Sequence, residues 1–256
     1  MSFELITIPC LSDNYAFIFY NIKNRSALLV DAPEADPINE IIRKNNLNLE
    51  KIFLTHHHAD HVDGLEGILK KHDALTLGAK ADIHRLPKLD KYVQAGDEIS
   101  FQGQTGQIHD VSGHTVGHIA LSISSQDILF SGDSLMALGC GRLFEGNAEQ
   151  MWHSLRNLLS LPDNTKVCSG HEYTENNARF ALTIDPKNLD LIKRSENVKI
   201  ARSKNLFTVP SNLGLEKKTN PFLRPFDQNI RKNLNMRDSS DVEVFSKIRS
   251  LKDEFY

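Results

Sequence analysis

Ten residues, THHHADHVDG from Thr55 to Gly64, carry four histidines and two aspartates directly after an apolar run, KIFL. In His56-x-His58-x-Asp60-His61, three nitrogen donors and one carboxylate arise from a single tight turn. The alternate residues His56 and His58 can face one centre, while Asp60 and His61 face a second. A catalytic zinc commonly takes three protein ligands and leaves one position open, so one ion does not use so many donors. Further along, His114, Asp133 and His171 bring the candidates to seven. That number suits two divalent cations bridged by one carboxylate and one water, with three terminal protein ligands each. An all nitrogen and oxygen set suits zinc, iron or manganese; zinc is the expected ion.

Such ligands must be delivered by elements that converge. Four candidate strands each run into one of them: KIFLT into His56–His61, IHDVSG into His114, DILFSG into Asp133 and KVCSG into His171. Loops at one end of an α/β sheet are where active sites gather. The opening reads as strands, FELITIP, YAFIFYN and SALLVDAP, followed by a helix over PINEIIRKN that Pro37 is placed to start. VDGLEGILKKH has helical periodicity, with Leu65, Ile68 and Leu69 on one face. ALTLGAK and HIALSIS are further strands. NAEQMWHSLRNLLSL is a helix with Asn147 and Gln150 at capping-box spacing. KVCSG is expected to be the last strand. Beyond it come helices over YTENNARFALTI and NLDLIKRSENVKIARSKN, a proline-marked loop TVPSNLGLEKKTNPFLRPF, and an amphipathic helix DVEVFSKIRSLKDEFY. Alternating helical and strand-like stretches define an α/β class.

With 256 residues, 40% of them hydrophobic, the chain can bury a substantial core. No apolar stretch approaches the roughly 18 residues of a membrane span, and the N-terminus lacks the basic and apolar regions of a signal peptide. Three cysteines, Cys10, Cys140 and Cys168, cannot all pair and form no CxxC motif, so reduced thiols and a cytoplasmic location are expected. The net charge of -3 hides an asymmetry. Residues 1–174 carry 14 basic and 22 acidic side chains; residues 175–256 carry 16 and 11, and all 11 histidines lie at or before His171. The division expected is a catalytic domain over 1–174 and a helical substrate-binding domain over 175–256. The tail's charges are mixed rather than clustered, which suits a small anionic ligand better than nucleic acid. No nucleic-acid or membrane partner is expected, and a monomer suffices.

HxHxDH, GHTVGH, SGD and GHEYT together resemble the metallo-β-lactamase superfamily. THHHADHVDG, GCGRLFEGNAEQM, SGHEYTENN, TVPSNLGLE…TNPFLR and RSLKDEF resemble the glyoxalase II (hydroxyacylglutathione hydrolase) family within it, over nearly the whole chain. HxHxDH specifies only the superfamily; the tail segments narrow it. The resemblance implies an αββα sandwich with a C-terminal α-helical domain. It implies one metal on His56, His58 and His114, a second on Asp60, His61 and His171, and Asp133 as bridge. Arg142, Tyr173, Arg249 and Lys252 match the family's glutathione-binding positions. Arg142 stands where the mammalian members are expected to have lysine, and Phe144 where tyrosine is expected. The implied reaction is hydrolysis of S-D-lactoylglutathione to D-lactate and glutathione, with Asp60 holding and aiming the proton of the attacking water. Arg249 and Lys252, three apart, share one helical face, and Leu251 and Phe255 form an apolar face that docks the helix.

Other readings attach to single residues. His57 points away from the ligands flanking it, and His118 serves structural hydrogen bonding. His72, His84, His109 and His153 are surface or core histidines. Asp31 either orients a ligand histidine or ends a plain turn. Cys10 and Cys168 are core residues, while Cys140 lies in a Gly-rich loop. A persulfide dioxygenase of the same superfamily would use one iron on His56, His114 and Asp133, leaving the second ligand set and the tail unexplained. The assignment separates carboxylates three residues apart. Asp60→Asn should lower turnover by about 10²- to 10⁴-fold, the range for losing a positioned base, and lose one metal, whereas Asp63→Asn should leave both unchanged. Parallel measurement of turnover and bound metal in the two variants checks it.

Overall fold

A computed structural model describes residues 2–255. They form two compact units: one contains the residues up to Asp110 together with Val116–Gly132, the other Val111–Thr115 and the residues from Asp133 onward.

In the first unit, β1 (Phe3–Cys10), β2 (Asn14–Asn21), β3 (Ser26–Val30), β4 (Asn48–Phe53), β5 (Leu75–Ala79) and β6 (Lys91–Val93) form one sheet in that order. The β1–β2–β3 pairings are antiparallel, and those from β3 to β6 are parallel. Helices α1 (Ala35–Lys44), α2 (Ala59–Val62) and α3 (Leu65–Leu69) lie in the crossovers. A second, antiparallel run joins β7 (Glu98–Phe101), β8 (Gln104–Asp110), β9 (Ile119–Ile123) and β10 (Ile128–Gly132). Every residue of β2, β3, β9 and β10 is buried, which marks strands covered on both faces. Aromatic side chains join the two runs: Phe17 meets Phe130 at 5.9 Å, and Phe19, stacked on Phe3 at 4.8 Å, meets Phe101 at 6.0 Å. Because β3 and β4 are parallel, the segments leaving them, Asp31 and Thr55–His61, emerge at the same edge.

In the second unit, β11 (Leu135–Met136) and β12 (Gly139–Cys140) form a small hairpin, and β13 (Lys166–Ser169) pairs antiparallel with β14 (Ser211–Asn212). Around them lie α4 (Ala148–Leu158), α5 (Thr174–Ile184), α6 (Leu189–Ser203), α7 (Leu213–Thr219), α8 (Gln228–Asn233) and α9 (Asp241–Asp253). The capping box expected at Asn147 and Gln150 is formed, and a second closes α9 through Ser240 and Glu243. Phe222 contacts both Phe180 and Phe245, and Trp152 packs on Phe245, drawing α4, α5 and α9 onto one core.

Three expectations give way. VDGLEGILKKH is not one helix but α2 and α3, broken at Asp63–Gly64. The break brings Gly64 against the segment after β3: its N–H donates to the Ala32 carbonyl at 2.8 Å, and a Cβ there would lie 2.8 Å from that oxygen and from Glu34 backbone atoms. KVCSG is not the last strand, because β14 follows it inside the stretch read as a loop, and α7 and α8 were not foreseen. Pro210 precedes β14 and leaves its N–H groups intact, while the Asn212 side chain caps α7 through the Leu215 N–H at 3.0 Å. A buried Glu216 fixes the segment by accepting from Arg194, Ser211 and the Leu138 N–H. Finally, α9 docks through Val244, Phe245 and Ile248, not Leu251; Phe255, beyond its end, meets the edge of Phe180 at 5.5 Å.

The Gly64 contact is backbone on both sides, so it cannot relax by a rotamer change. Gly64→Ala should destabilise the protein by about 1–3 kcal/mol, as overpacking does, and a urea titration of the variant would read it as a lower midpoint.

Candidate metal centre

At the edge shared by β3 and β4, Asp31 takes a left-handed conformation, φ 59°, tolerated by aspartate. Its carboxylate accepts from the Thr55 N–H at 2.8 Å and the Thr55 hydroxyl at 2.9 Å, and the Nδ1–H of His61 reaches it at 2.8 Å. The hydroxyl proton of Thr55 is committed to Asp31, so its oxygen accepts from His56 Nδ1 at 3.0 Å. Both rings therefore carry their proton on Nδ1 and keep a lone pair on Nε2. The His56 Nε2 and His58 Nδ1 atoms stand 3.1 Å apart. Two nitrogens bound tetrahedrally at 2.0–2.1 Å would be separated by roughly 3.3 Å, so the two atoms, at hydrogen-bond distance here, are also spaced as ligands of one cation. His118, buried, stacks on the His56 ring at 4.5 Å, in keeping with a structural place.

Asp60 is held by a residue the sequence reading passed over. Asn14, the first residue of β2, donates from Nδ2 to the Asp60 carboxylate at 2.9 Å and to its carbonyl at 3.0 Å. Asp60 Oδ2 lies 3.8 Å from His61 Nε2. His57 turns instead to Asp82, 2.9 Å from Nδ1, and Asp82 is itself buried and paired with Arg85. His109 meets Ser122 and His72 meets Asn39, and burial lowers both imidazole pKa values; neither takes part.

The second unit holds the remaining candidates. Nδ1–H of His114 donates to the Arg142 carbonyl at 2.8 Å, again leaving Nε2. That atom lies 3.7 Å from Asp133 Oδ2, and His171 Nε2 lies 3.1 Å from the same oxygen. A Cβ at Gly141 would overlap the Asp133 carbonyl and stand 2.8 Å from His114 Nδ1, so the Gly-rich loop is a steric condition for placing both ligands. Phe144 packs against His114 at 5.3 Å and Tyr173 stacks on His171 at 4.6 Å. Burial pushes the Cys140 thiol up to about 11 and Cys168 higher still, so both remain neutral thiols.

These donor sets fit divalent cations. Imidazoles fixed through one nitrogen by an outer carboxylate, hydroxyl or carbonyl, with the lone pair on the other, are the usual arrangement of metal-ligating histidines.

Beyond the ligands, the second unit gathers cations. Arg249 is buried and donates to the Cys140 carbonyl at 2.8 Å and to Asp253 at 3.0 Å, with its guanidinium over the Phe222 ring at 5.1 Å. Lys252 is half-buried, its ammonium 5.4 Å from the Phe180 ring and 5.3 Å from the Phe255 ring. Burial, reinforced by Arg249, Arg142 and Arg179, lowers its pKa to about 8. The two side chains that share a helical face thus differ: Arg249 is enclosed, Lys252 reaches outward.

The family profile described as "Metallo-beta-lactamase superfamily" matches residues 14–171. Among solved structures, the BLEG-1 B3 metallo-β-lactamase aligns with a TM-score of 0.68 at 20% identity, over 86% of this chain and 100% of that one. ETHE1 from Myxococcus xanthus aligns with a TM-score of 0.66 at 24% identity, over 98% and 90%. These likenesses establish the fold, an αββα metallo-β-lactamase sandwich with a helical C-terminal region. A second profile, "Hydroxyacylglutathione hydrolase C-terminus", matches residues 172–255. Proteins named hydroxyacylglutathione hydrolase from Roseobacter denitrificans and Ruegeria pomeroyi are 53% and 50% identical over 255 residues, with 100% of both chains covered. The chain belongs to the hydroxyacylglutathione hydrolase family of the metallo-β-lactamase superfamily.

Because Arg249 is enclosed and bonded on two sides, Arg249→Ala should cost stability as well as any substrate contact. Hydrogen bonds to a charged group are worth about 1.5–3 kcal/mol each, so unfolding free energy should fall by at least about 2 kcal/mol. Lys252→Ala should leave stability within about 0.5 kcal/mol, as for surface changes. Thermal and urea unfolding of the two variants side by side check this.

Proposed function

We propose that this protein is a thioester hydrolase that cleaves S-D-lactoylglutathione and related 2-hydroxyacyl-glutathiones into D-lactate, or the corresponding acid, and glutathione. This would be the second step of methylglyoxal detoxification, carried out by a cytoplasmic monomer with residues 1–174 as catalytic domain and 175–256 as substrate-binding domain. The observation that carries the reading is the state of the imidazoles. His56, His61 and His114 each have Nδ1 committed to an oxygen, which puts the lone pair of each ring on Nε2, in a sequence otherwise matched to glutathione thioester hydrolases. His56, His58 and His114 would hold one divalent ion, Asp60, His61 and His171 the other, and Asp133 would bridge; zinc is proposed for both, with iron or manganese compatible with the donors.

Two such cations supply Lewis acidity, lowering the pKa of water toward neutrality and polarising a thioester carbonyl. The protein's own part is positional. Asp60, oriented by Asn14, accepts and holds the proton of the attacking water. Asp31 keeps His61 and, through Thr55, His56 in the ligating tautomer. The departing sulfur needs little acid assistance, since a thiol ionises near pH 8.5. Arg142, Tyr173, Arg249 and Lys252 are proposed to form the peptide site, with positive charge for the carboxylates of glutathione. Those contacts lie away from the scissile bond, so they bind ground and transition state alike and should act on KM rather than kcat.

The purified protein should hydrolyse S-D-lactoylglutathione and carry about two transition-metal ions per chain by elemental analysis. Chelation should abolish activity and added metal restore it. Full activity with one ion per chain, unchanged by further metal, would overturn the dinuclear part; no turnover of any glutathione thioester by the metal-loaded protein would overturn the substrate.

A further inference from the structure

The charges around Lys252 do not balance. Arg142, Arg179, Arg249 and Lys252 surround a region in which Asp253 is the carboxylate partner shown, and its Oδ1 is shared by Arg249 at 3.0 Å and Arg142 at 3.7 Å. Arg179 lies on the exposed side of α5, six residues after Tyr173. Its guanidinium carbon stands 5.7 Å from the Phe255 ring centroid, and the Lys252 ammonium stands 5.3 Å from the same centroid. Neither Arg179 nor Lys252 has a hydrogen-bonded or carboxylate partner among the described residues; each has aromatic ring contacts instead. Like charges gathered on a shared ring repel one another, and cation–π contacts of about 0.5–1 kcal/mol at exposed sites do not replace a counter-ion. An anion bound there would relieve that repulsion.

We propose that Arg179 is a further specificity residue of this enzyme, forming with Lys252 a paired cation site for a second carboxylate of a dicarboxylic peptide thioester. The inference rests on the reading that the substrate is a glutathione thioester, and it adds a residue to the proposed peptide site. Glutathione brings two carboxylates. Arg249 is turned inward onto the Cys140 carbonyl and Asp253, so it has less to offer a ligand than its place on α9 suggests. Lys252 alone cannot neutralise both carboxylates, whereas Arg179 has no hydrogen-bonded partner for its fork of donors among the described residues. The groups facing Lys252 are Arg249 and Asp253 on its own helix, Arg142 beyond β12, Arg179 on α5 and the neutral thiol of Cys140. Three of these oppose its charge and only Asp253 favours it, so Lys252 sheds its proton as pH rises through about 8. Anion affinity is therefore full below that pH and falls above it. Removing the Arg179 charge relieves one repulsion and moves this loss to higher pH.

The test measures binding of S-methylglutathione, a thioether that carries both carboxylates and is not hydrolysed, to the metal-loaded protein by calorimetry between pH 6.5 and 9.5, and so does not depend on turnover. Arg179→Ala should weaken binding roughly 5- to 20-fold at pH 7, as expected for a partly screened charged contact. Arg179→Lys should recover most of it, and the alkaline loss of affinity should move up in Arg179→Ala. The dimethyl ester of the same ligand should bind weakly and equally to all three proteins. With lactoylglutathione, KM should rise and kcat stay within about twofold. Unchanged affinity in Arg179→Ala, or an equal loss for this ligand and its ester, would overturn the role of Arg179. Absence of turnover by wild type alongside Arg179-dependent binding would instead overturn the reaction and leave the anion site standing.

Discussion

Everything at the candidate centre depends on how the crowded imidazoles of one turn are held. The nitrogens of His56 and His58 stand 3.1 Å apart, and His56 and His61 are fully buried. A buried polar atom without a partner costs about 1–3 kcal/mol, so such a turn is tolerable only if its rings are tied by specific partners. The ties are specific. Asp31 is the hub, reaching His61 directly and His56 through one hydroxyl. That hub exists because β3 and β4 are parallel neighbours, so that the residue ending one strand meets the residue leaving the other. Replacing Thr55 by an apolar isostere would leave the sheet intact and free His56 to adopt the wrong tautomer.

The same economy governs the second unit. His114 is oriented by the Arg142 carbonyl, and the turn that presents this carbonyl must pass so close to Asp133 that only glycine serves at 141. Side-chain chemistry is thus set by backbone placement: one carbonyl fixes a tautomer, and one missing Cβ permits it. Aromatic rings complete the enclosure, with Tyr173 on His171 and Phe144 on His114. Phe144, largely exposed, offers its ring edge and no hydroxyl, so any hydrogen bond made by a tyrosine at that position must be supplied here by another group or be lost.

Much of this was legible in the sequence because its signals are local. HxHxDH is a turn motif, the Asn147–Gln150 capping box is a four-residue rule, and strand ends are marked by the residues that follow them. What the sequence hid is non-local. Nothing near Asn14 announces that it will hold Asp60, forty-six positions away, and nothing near Asp82 points to His57. The split of α2 from α3 was invisible for the same reason: the periodicity of Leu65, Ile68 and Leu69 is helical, but the break at Gly64 follows from its contact with Ala32. Likewise β14 and α7 owe their existence to Glu216, whose buried partners come from Leu138, Arg194 and Ser211. A proline-rich composition suggested a loop; a buried ion pair made it structure.

The helical tail also does more than supply charge. Arg249 donates to the carbonyl of Cys140, Gly141 makes room for Asp133 and His114, and the carbonyl of Arg142 fixes the His114 ring. Three consecutive residues therefore join α9 to the His114 ring. A guanidinium at 249 holds this short segment from one side while the imidazole holds it from the other, so the position of His114 depends on a residue of the last helix. Lys252, one turn further on, meets the rings of Phe180 and Phe255 and has no such link among the described residues. Two cations on the same face of one helix thus act on different quantities. The enclosed one bears on the placement of the His114 ring in addition to its proposed substrate contact, while the half-exposed one bears on affinity for an anion. A tail joined to the ligand loop in this way has its recognition coupled to chemistry by covalent adjacency, with no conformational change required.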